Sequence, residues 1–148
     1  MRAIVQRVSS ASVVVKKNIV SSIKSGYLIF LGIYKNDTED DLIYLINKTS
    51  QLRINEDLQG NMNLSILDVK GEILVVSQFT LYANIKKGRR PSFIDAAKPN
   101  DANKYYNRYC RALSMLGLNV LTGHFGATMD VHLVNRGPFT IIIDSNNK

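Results

Sequence analysis

The feature that most constrains this chain is the density of β-branched residues at its start. Ala3-Ile4-Val5-Gln6-Arg7-Val8 and Ala11-Ser12-Val13-Val14-Val15 are rich in Val and Ile, and Lys17-Asn18 can turn the chain into Ile19-Val20-Ser21-Ser22-Ile23. Tyr27 to Tyr34 follows as an apolar run interrupted by Gly32. Branching at Cβ restricts χ1 against a helical turn but packs well on a pleated surface, so these segments predict strands in hairpin order. The last of them reads as a strand buried on both faces.

Two later segments carry helical periodicity instead. Thr38, followed three residues on by Asp41, resembles a capping box, and Leu42, Leu45, Ile46 and Thr49 then share one face to about Gln51. A second helix is expected after Pro99, capped by Asn100 or Asp101. Its stripe is Ala102, Tyr105, Tyr106, Tyr109, Cys110, Leu113 and Leu116, and Gly117 stops it. Glu72 to Ala83, Leu118 to Leu121, Met129 to Asn135 and Phe139 to Asp144 again look like strands. The expected fold is α/β: a mixed, largely antiparallel sheet curling into two layers and covered by two main helices. It forms a single domain over residues 1–144, with a polar tail at 145–148.

The 148 residues, 45% of them hydrophobic, suit one domain with a real core and exclude wholesale disorder. The longest apolar run falls far short of the ~20 residues of a membrane span. Arg7 stands where a secretory signal would be apolar, and the single cysteine, Cys110, cannot form an internal disulfide. A cytoplasmic protein with no membrane association is expected. The 19 Lys and Arg against 12 Asp and Glu leave a net charge of +7, which favours anionic partners, nucleic acid among them, but equally serves simple solubility.

Searches for familiar chemistry mostly exclude. There is no nucleophile elbow, no phosphate-binding glycine loop and no dinucleotide fingerprint. With one Cys and two His, His124 and His132, no zinc ligand set of usual spacing exists, so neither metal nor cofactor is expected. His132 alternates onto the wetter face of its strand, and Cys110 sits in an apolar stripe as packing.

Two segments stand out. After Ile73-Leu74-Val75-Val76, the residues Ser77-Gln78-Phe79-Thr80-Leu81 bring hydrogen-bonding groups directly behind a buried run. Continued alternation would put Ser77, Phe79 and Leu81 on one face and Gln78, Thr80 and Tyr82 on the other. Either the sheet face emerges into solvent, or a pocket lined by Gln78, Thr80 and adjacent amides satisfies them; pattern alone leaves both open. Asn135-Arg136-Gly137-Pro138-Phe139-Thr140 is the second, a tight connection between two strands. It reads as an ordinary hairpin turn, or as a cis Gly-Pro whose successive carbonyls point the same way as a rigid acceptor pair.

Together these segments resemble the D-aminoacyl-tRNA deacylase family. Ser77-Gln78-Phe79-Thr80-Leu81 and Asn135-x-Gly137-Pro138-x-Thr140 carry the likeness. Met1-Arg2-Ala3 with Gln6-Arg7-Val8, Lys87-Gly88-Arg89-Arg90-Pro91-Ser92-Phe93, and Phe125-Gly126-Ala127 with Met129 support it, over Met1 to about Ile143. Arg136 departs from the pattern, standing where many relatives carry an acidic residue. The resemblance implies a homodimeric hydrolase, with its active site at the subunit interface, that cleaves the ester between a D-amino acid, or glycine, and the 3′-terminal adenosine of tRNA. Such an enzyme recycles mischarged tRNA as a chirality-proofreading step in translation.

By the same resemblance, Ser77, Gln78, Phe79 and Thr80 form the reaction centre, the amides of Gln78 and Phe79 lining it. Gly137 and Pro138, in cis, reach into the partner's pocket and, with Asn135, Thr140 and Arg7, serve substrate binding and the chiral selection that excludes L-aminoacyl-tRNA, Arg7 helping to fix the loop. Phe125, Gly126, Ala127 and Met129 hold the adenosine. Lys86, Lys87, Arg89 and Arg90 crowd one loop and suit tRNA phosphates. Thr80 is a poor nucleophile without a positioned base, so the substrate's own 2′-hydroxyl helping to activate water fits better. The rival reading, a dimeric RNA-binding module without catalysis, accounts for the charge equally well. A small-molecule esterase is disfavoured by the missing nucleophile motifs.

Overall fold

The computed structural model describes residues 1–147. The opening segments form one long strand, β1 (Arg2–Val15), followed by β2 (Asn18–Ile23) and β3 (Gly26–Gly32). Helix α1 (Glu39–Gln51) and the short strands β4 (Asn55–Glu56) and β5 (Met62–Leu64) lead to β6 (Glu72–Ser77). A 3₁₀ turn at Phe79–Tyr82, helix α2 (Pro99–Met115), β7 (Asn119–Thr122) and β8 (Asp130–Asp144) complete the chain. Among the described residues, no helix is long and apolar enough to cross a membrane.

Six strands form one mixed sheet, and β4 pairs with β5 apart from it. β8 runs antiparallel along β1, which leaves the other edge of β1 to β3 over residues 2–8 and to β2 over 11–15. β3, β6 and β7 are parallel neighbours, and parallel neighbours require crossovers, which α1 and α2 supply. Tyr27, Ile29, Leu31, Ile73 and Val75 face both helices, meeting Leu42 and Leu45 of α1 and Tyr106, Tyr109 and Leu113 of α2. The opposite face, Leu28, Leu74 and Val76, is covered by Val8, Ala11, Val13 and Ile23, because the far half of β1 and β2 curl back over the sheet. The Ser21 hydroxyl closes that curl by donating to the Thr122 carbonyl of β7 at 2.5 Å.

Helix α1 begins as its capping pattern predicts: the Asp41 carboxylate accepts from both the amide and the hydroxyl of Thr38, each at 2.8 Å. Helix α2 starts earlier than expected, at Pro99 with Lys98 as its cap, because proline lacks an amide proton and is preset for the first helical position. Cys110 is buried and burial pushes its thiol up to about 12, so it behaves as core. His132 is exposed on β8, while its neighbours Val131 and Leu133 pack inward.

Two expectations fail. The hairpin expected at Asn135–Thr140 does not exist: β8 is continuous through it, and the segment is a bulge. Gln6 pairs with Thr140 and Val8 with Asn135, so four residues, 136–139, stand opposite Arg7 alone. The alternation assumed beyond Ser77 also stops, because the chain tightens there into the 3₁₀ turn. Gly32 permits this, since a Cβ there would come within 2.9 Å of the Leu81 Cβ and 3.0 Å of the Gln78 carbonyl oxygen. Ser145–Asn147, expected as tail, form a further 3₁₀ turn whose Ser145 hydroxyl accepts from the Met1 ammonium at 2.5 Å. Lys148 lies outside the described residues.

Candidate functional site

A cavity of about 510 Å³ opens beside the end of β6. Ser77, Gln78 and Phe79 form one wall, and Phe125, Gly126, Ala127 and Met129 form another, so two groups of residues some fifty positions apart in the chain meet in one recess. Its floor is apolar, from Leu31, Ile33, Val76 and Val131, and Phe93, Ala96, Ala97, Pro99 and Ala102 complete it. Every one of these side chains is uncharged at all ordinary pH. The volume suits a compact organic ligand carrying one ring system.

The Ser77–Phe79 wall is set by the end of the sheet. The Gln78 amide donates to the Leu31 carbonyl at 2.8 Å, extending the pairing of β6 with β3 by one residue. That amide is therefore engaged. The first amides of a helical turn have no acceptor within it, and here they belong to Phe79 and Thr80. The Gln78 side-chain amide donates to the Thr80 hydroxyl. Thr80 itself is exposed and does not line the cavity, and no Asp, Glu, His or Lys does so either.

The opposite wall is a tight loop. The Ala127 amide donates to the His124 carbonyl at 3.1 Å, and the His124 amide donates to the Met129 sulfur at 3.3 Å, folding Met129 back beneath Phe125. The Phe125 ring leans on Tyr106 of α2, with centroids 5.7 Å apart. The Tyr106 hydroxyl donates to the Val75 carbonyl at 2.8 Å and burial raises its pKa, so it stays a neutral strut.

Phe93 packs edge-on against Phe79 at 4.9 Å and anchors the basic loop. Asn84 and Ser92 exchange backbone hydrogen bonds at 2.7 and 2.9 Å, closing the loop that carries Lys86, Lys87, Arg89 and Arg90 near the cavity mouth. All four cations are exposed. The ion pairs among the described residues engage Met1, Arg2, Arg7, Lys35 and Arg108, and none of these four.

The Asn135–Thr140 bulge stands apart. None of its residues lines the cavity. The Gly137–Pro138 peptide is cis, Gly137 has φ 132°, and both residues are exposed. Arg7, itself buried, holds the bulge from behind. Its guanidinium donates to the Arg136 carbonyl at 3.2 Å and the Ile54 carbonyl at 2.8 Å, reaches Glu56 at 3.4 Å, and lies 5.0 Å from the Phe139 ring centroid. The Asn135 side chain accepts from the Phe139 amide at 2.8 Å and donates to the Thr140 hydroxyl at 2.9 Å. The Arg136 carbonyl is thus used, while its side chain borders a separate open cleft with Lys24 and Lys70.

Phe93, Ala96, Ala97 and Pro99 escaped prediction as a cavity wall. The first three occupy an irregular stretch leading into α2, tied to the chain beyond β3 by bonds such as the Ala97 amide to the Ile33 carbonyl at 2.9 Å, and residues in such a stretch carry no periodicity to read.

The family profile described as "D-Tyr-tRNA(Tyr) deacylase" matches residues 4–144. A protein of Thermotoga petrophila named D-aminoacyl-tRNA deacylase is 53% identical over 146 residues, covering 99% of this chain and 98% of its own. One of the same name from Bacillus pumilus is 54% identical over 145 residues, covering 98% and 99%. The solved structure of a c-Myc DNA unwinding element binding protein superposes with a TM-score of 0.91 at 39% identity, over 97% of this chain and 98% of that one. A probable eukaryotic D-amino acid tRNA deacylase, at 17% identity and a TM-score of 0.85 over 96% and 97% of the two chains, shares the fold.

Proposed function

Because the chain belongs to the D-Tyr-tRNA(Tyr) deacylase family, we propose that it is a D-aminoacyl-tRNA deacylase, a hydrolase that frees tRNA from D-amino acids and glycine in the cytoplasm. The observation that carries the reading is the single uncharged recess in which the Ser77–Phe79 wall faces the Phe125–Met129 wall. The terminal adenine sits among Phe125, Gly126, Ala127 and Met129, which places the ester at the start of the 3₁₀ turn. The Phe79 amide then meets the developing oxyanion, since a preorganised donor in a water-poor site is the largest lever such a cavity has. No side chain of the cavity can act as general base. The 2′-hydroxyl of the substrate helps to activate the attacking water, and the protein's work is positioning. The loop carrying Lys86, Lys87, Arg89 and Arg90 engages phosphates, a contact that positions RNA without reading its sequence.

The working unit is a homodimer. The cavity's side chains offer a substrate ammonium only the neutral oxygens of Ser77 and Gln78, whereas the Gly137–Pro138 bulge, outside that cavity, presents exposed backbone. β8 is an outer strand of the sheet, and Val134 and Ile142 on it are 57% and 66% exposed. Covering such an edge with a second copy relieves it. The partner's Gly137 and Pro138 carbonyls then take the ammonium, and an L side chain is driven into that backbone while a D side chain or a hydrogen is not. Hydrolysis of D-Tyr-, L-Tyr- and glycyl-tRNA side by side tests the reading. Release of D-Tyr and glycine with L-Tyr spared supports it; equal rates for the two Tyr enantiomers, or binding without release, overturn it.

A further inference from the structure

Phe125 lines two recesses. Besides the cavity, it borders a groove of about 480 Å³ between β2 and α2, lined also by Val20, Ser21, Tyr106, Asn107, Thr122 and His124. Tyr106, itself part of the groove wall, packs against the Phe125 ring at 5.7 Å between centroids, and the Met129 sulfur accepts from the adjacent His124 amide. No carboxylate lines the groove. It adjoins the outward stripe of α2, where Asn100, Lys104, Asn107 and Arg111 are all exposed at helical spacing. Arg108, beside that stripe, is taken by Glu39 at 2.5 Å, whereas Lys104 and Arg111 enter none of the ion pairs among the described residues.

We propose that this groove is a second nucleotide site, taking the cytidine that precedes the terminal adenosine, with the linking phosphates directed toward Lys104 and Arg111. It rests on the deacylase reading and deepens it. Single-stranded nucleic acid is held where an aromatic platform adjoins a cationic track, and every base has a face to stack. Phe125, which lines both recesses, can meet successive bases, one in each, with Tyr106 adding a second ring on the groove side. Asn107, Thr122 and His124 offer neutral hydrogen-bonding groups to the base in the groove. The phosphates meet cations that have no competing partner.

The test compares D-tyrosyl-adenosine with the same ester on a CpCpA trinucleotide. For the unaltered protein, kcat/KM is expected to be about tenfold higher on the trinucleotide, through KM, the scale of one base stacked on one ring. Val20→Trp, which fills the groove, should erase that advantage and leave hydrolysis of D-tyrosyl-adenosine unchanged. Lys104→Gln with Arg111→Gln should make the trinucleotide's KM less sensitive to salt, and this pair carries the comparison if the Trp variant misfolds. An advantage that survives both alterations overturns the proposal, as does an unaltered protein that handles the two substrates alike. Failure to hydrolyse either ester would sink the deacylase reading, and the groove with it.

Discussion

The cavity beside β6 and the bulge on β8 are opposite constructions. The cavity is a recess of uncharged side chains whose shape is set by core packing, with Leu31 and Val76 as its floor. The bulge is a projection of backbone, held from behind by the buried Arg7 and from within by Asn135. The first should tolerate changes in chemistry that keep its shape, and the second should not tolerate loss of the Arg7 strut. A recess without a charged acceptor and a projection of exposed carbonyls are complementary halves. This difference is why the proposed site needs two copies of the chain.

The sharpest way to break the contrast is to disturb the projection. Gly137→Ala asks an L residue to adopt φ 132° with its Cβ 3.2 Å from the Phe139 amide nitrogen and 3.3 Å from Arg7. A displaced acceptor pair should lower D-aminoacyl-tRNA hydrolysis by roughly 100-fold, read in single-turnover assays on protein whose circular dichroism is unaltered. Arg7→Ala removes the strut and leaves the Ile54 and Arg136 carbonyls without their donor. We expect a loss of about 3 kcal/mol in urea denaturation, with activity falling alongside.

Smaller effects belong to the recess and its rim. Changing Lys86, Lys87, Arg89 and Arg90 to Gln should flatten the dependence of log Kd on log salt for tRNA by about 3; an unchanged slope would return the loop to mere solvation. The least effect is expected of Thr80→Ala. Its hydroxyl is exposed and bonded to the Gln78 side chain, with no base at hand, so single-turnover hydrolysis should stay within about tenfold of the unaltered protein. Abolition of turnover with binding intact would make Thr80 the nucleophile and the recess chemically active after all.

The legibility of the sequence followed the same division. Elements whose burial repeats at a fixed period were readable: α1 with its Thr38–Asp41 cap, the β-branched strands, and the wetter face of His132 all lie where periodicity puts them. The two places where the reading of the site failed are those where the backbone departs from a period. Nothing in Ser77-Gln78-Phe79 announces a 3₁₀ turn, because the turn depends on the space left by Gly32 on another strand. Nothing in Asn135–Thr140 distinguishes a hairpin from a bulge, because the deciding partner is β1, more than a hundred residues away. Both irregular segments belong to the proposed site, and their presence there was visible only as polar or Gly-Pro residues at unexpected positions.

The neutrality of the recess has a consequence for anything meant to block it. Reagents that modify imidazoles, thiols or carboxylates find no foothold among its sixteen lining residues. A competing molecule must win by contour and by stacking, and an anionic group on it meets its counter-ions outside the recess, on the loop carrying Lys86, Lys87, Arg89 and Arg90 near the mouth. In the proposed homodimer, an inhibitor shaped like the substrate would also weaken as the two copies are diluted apart.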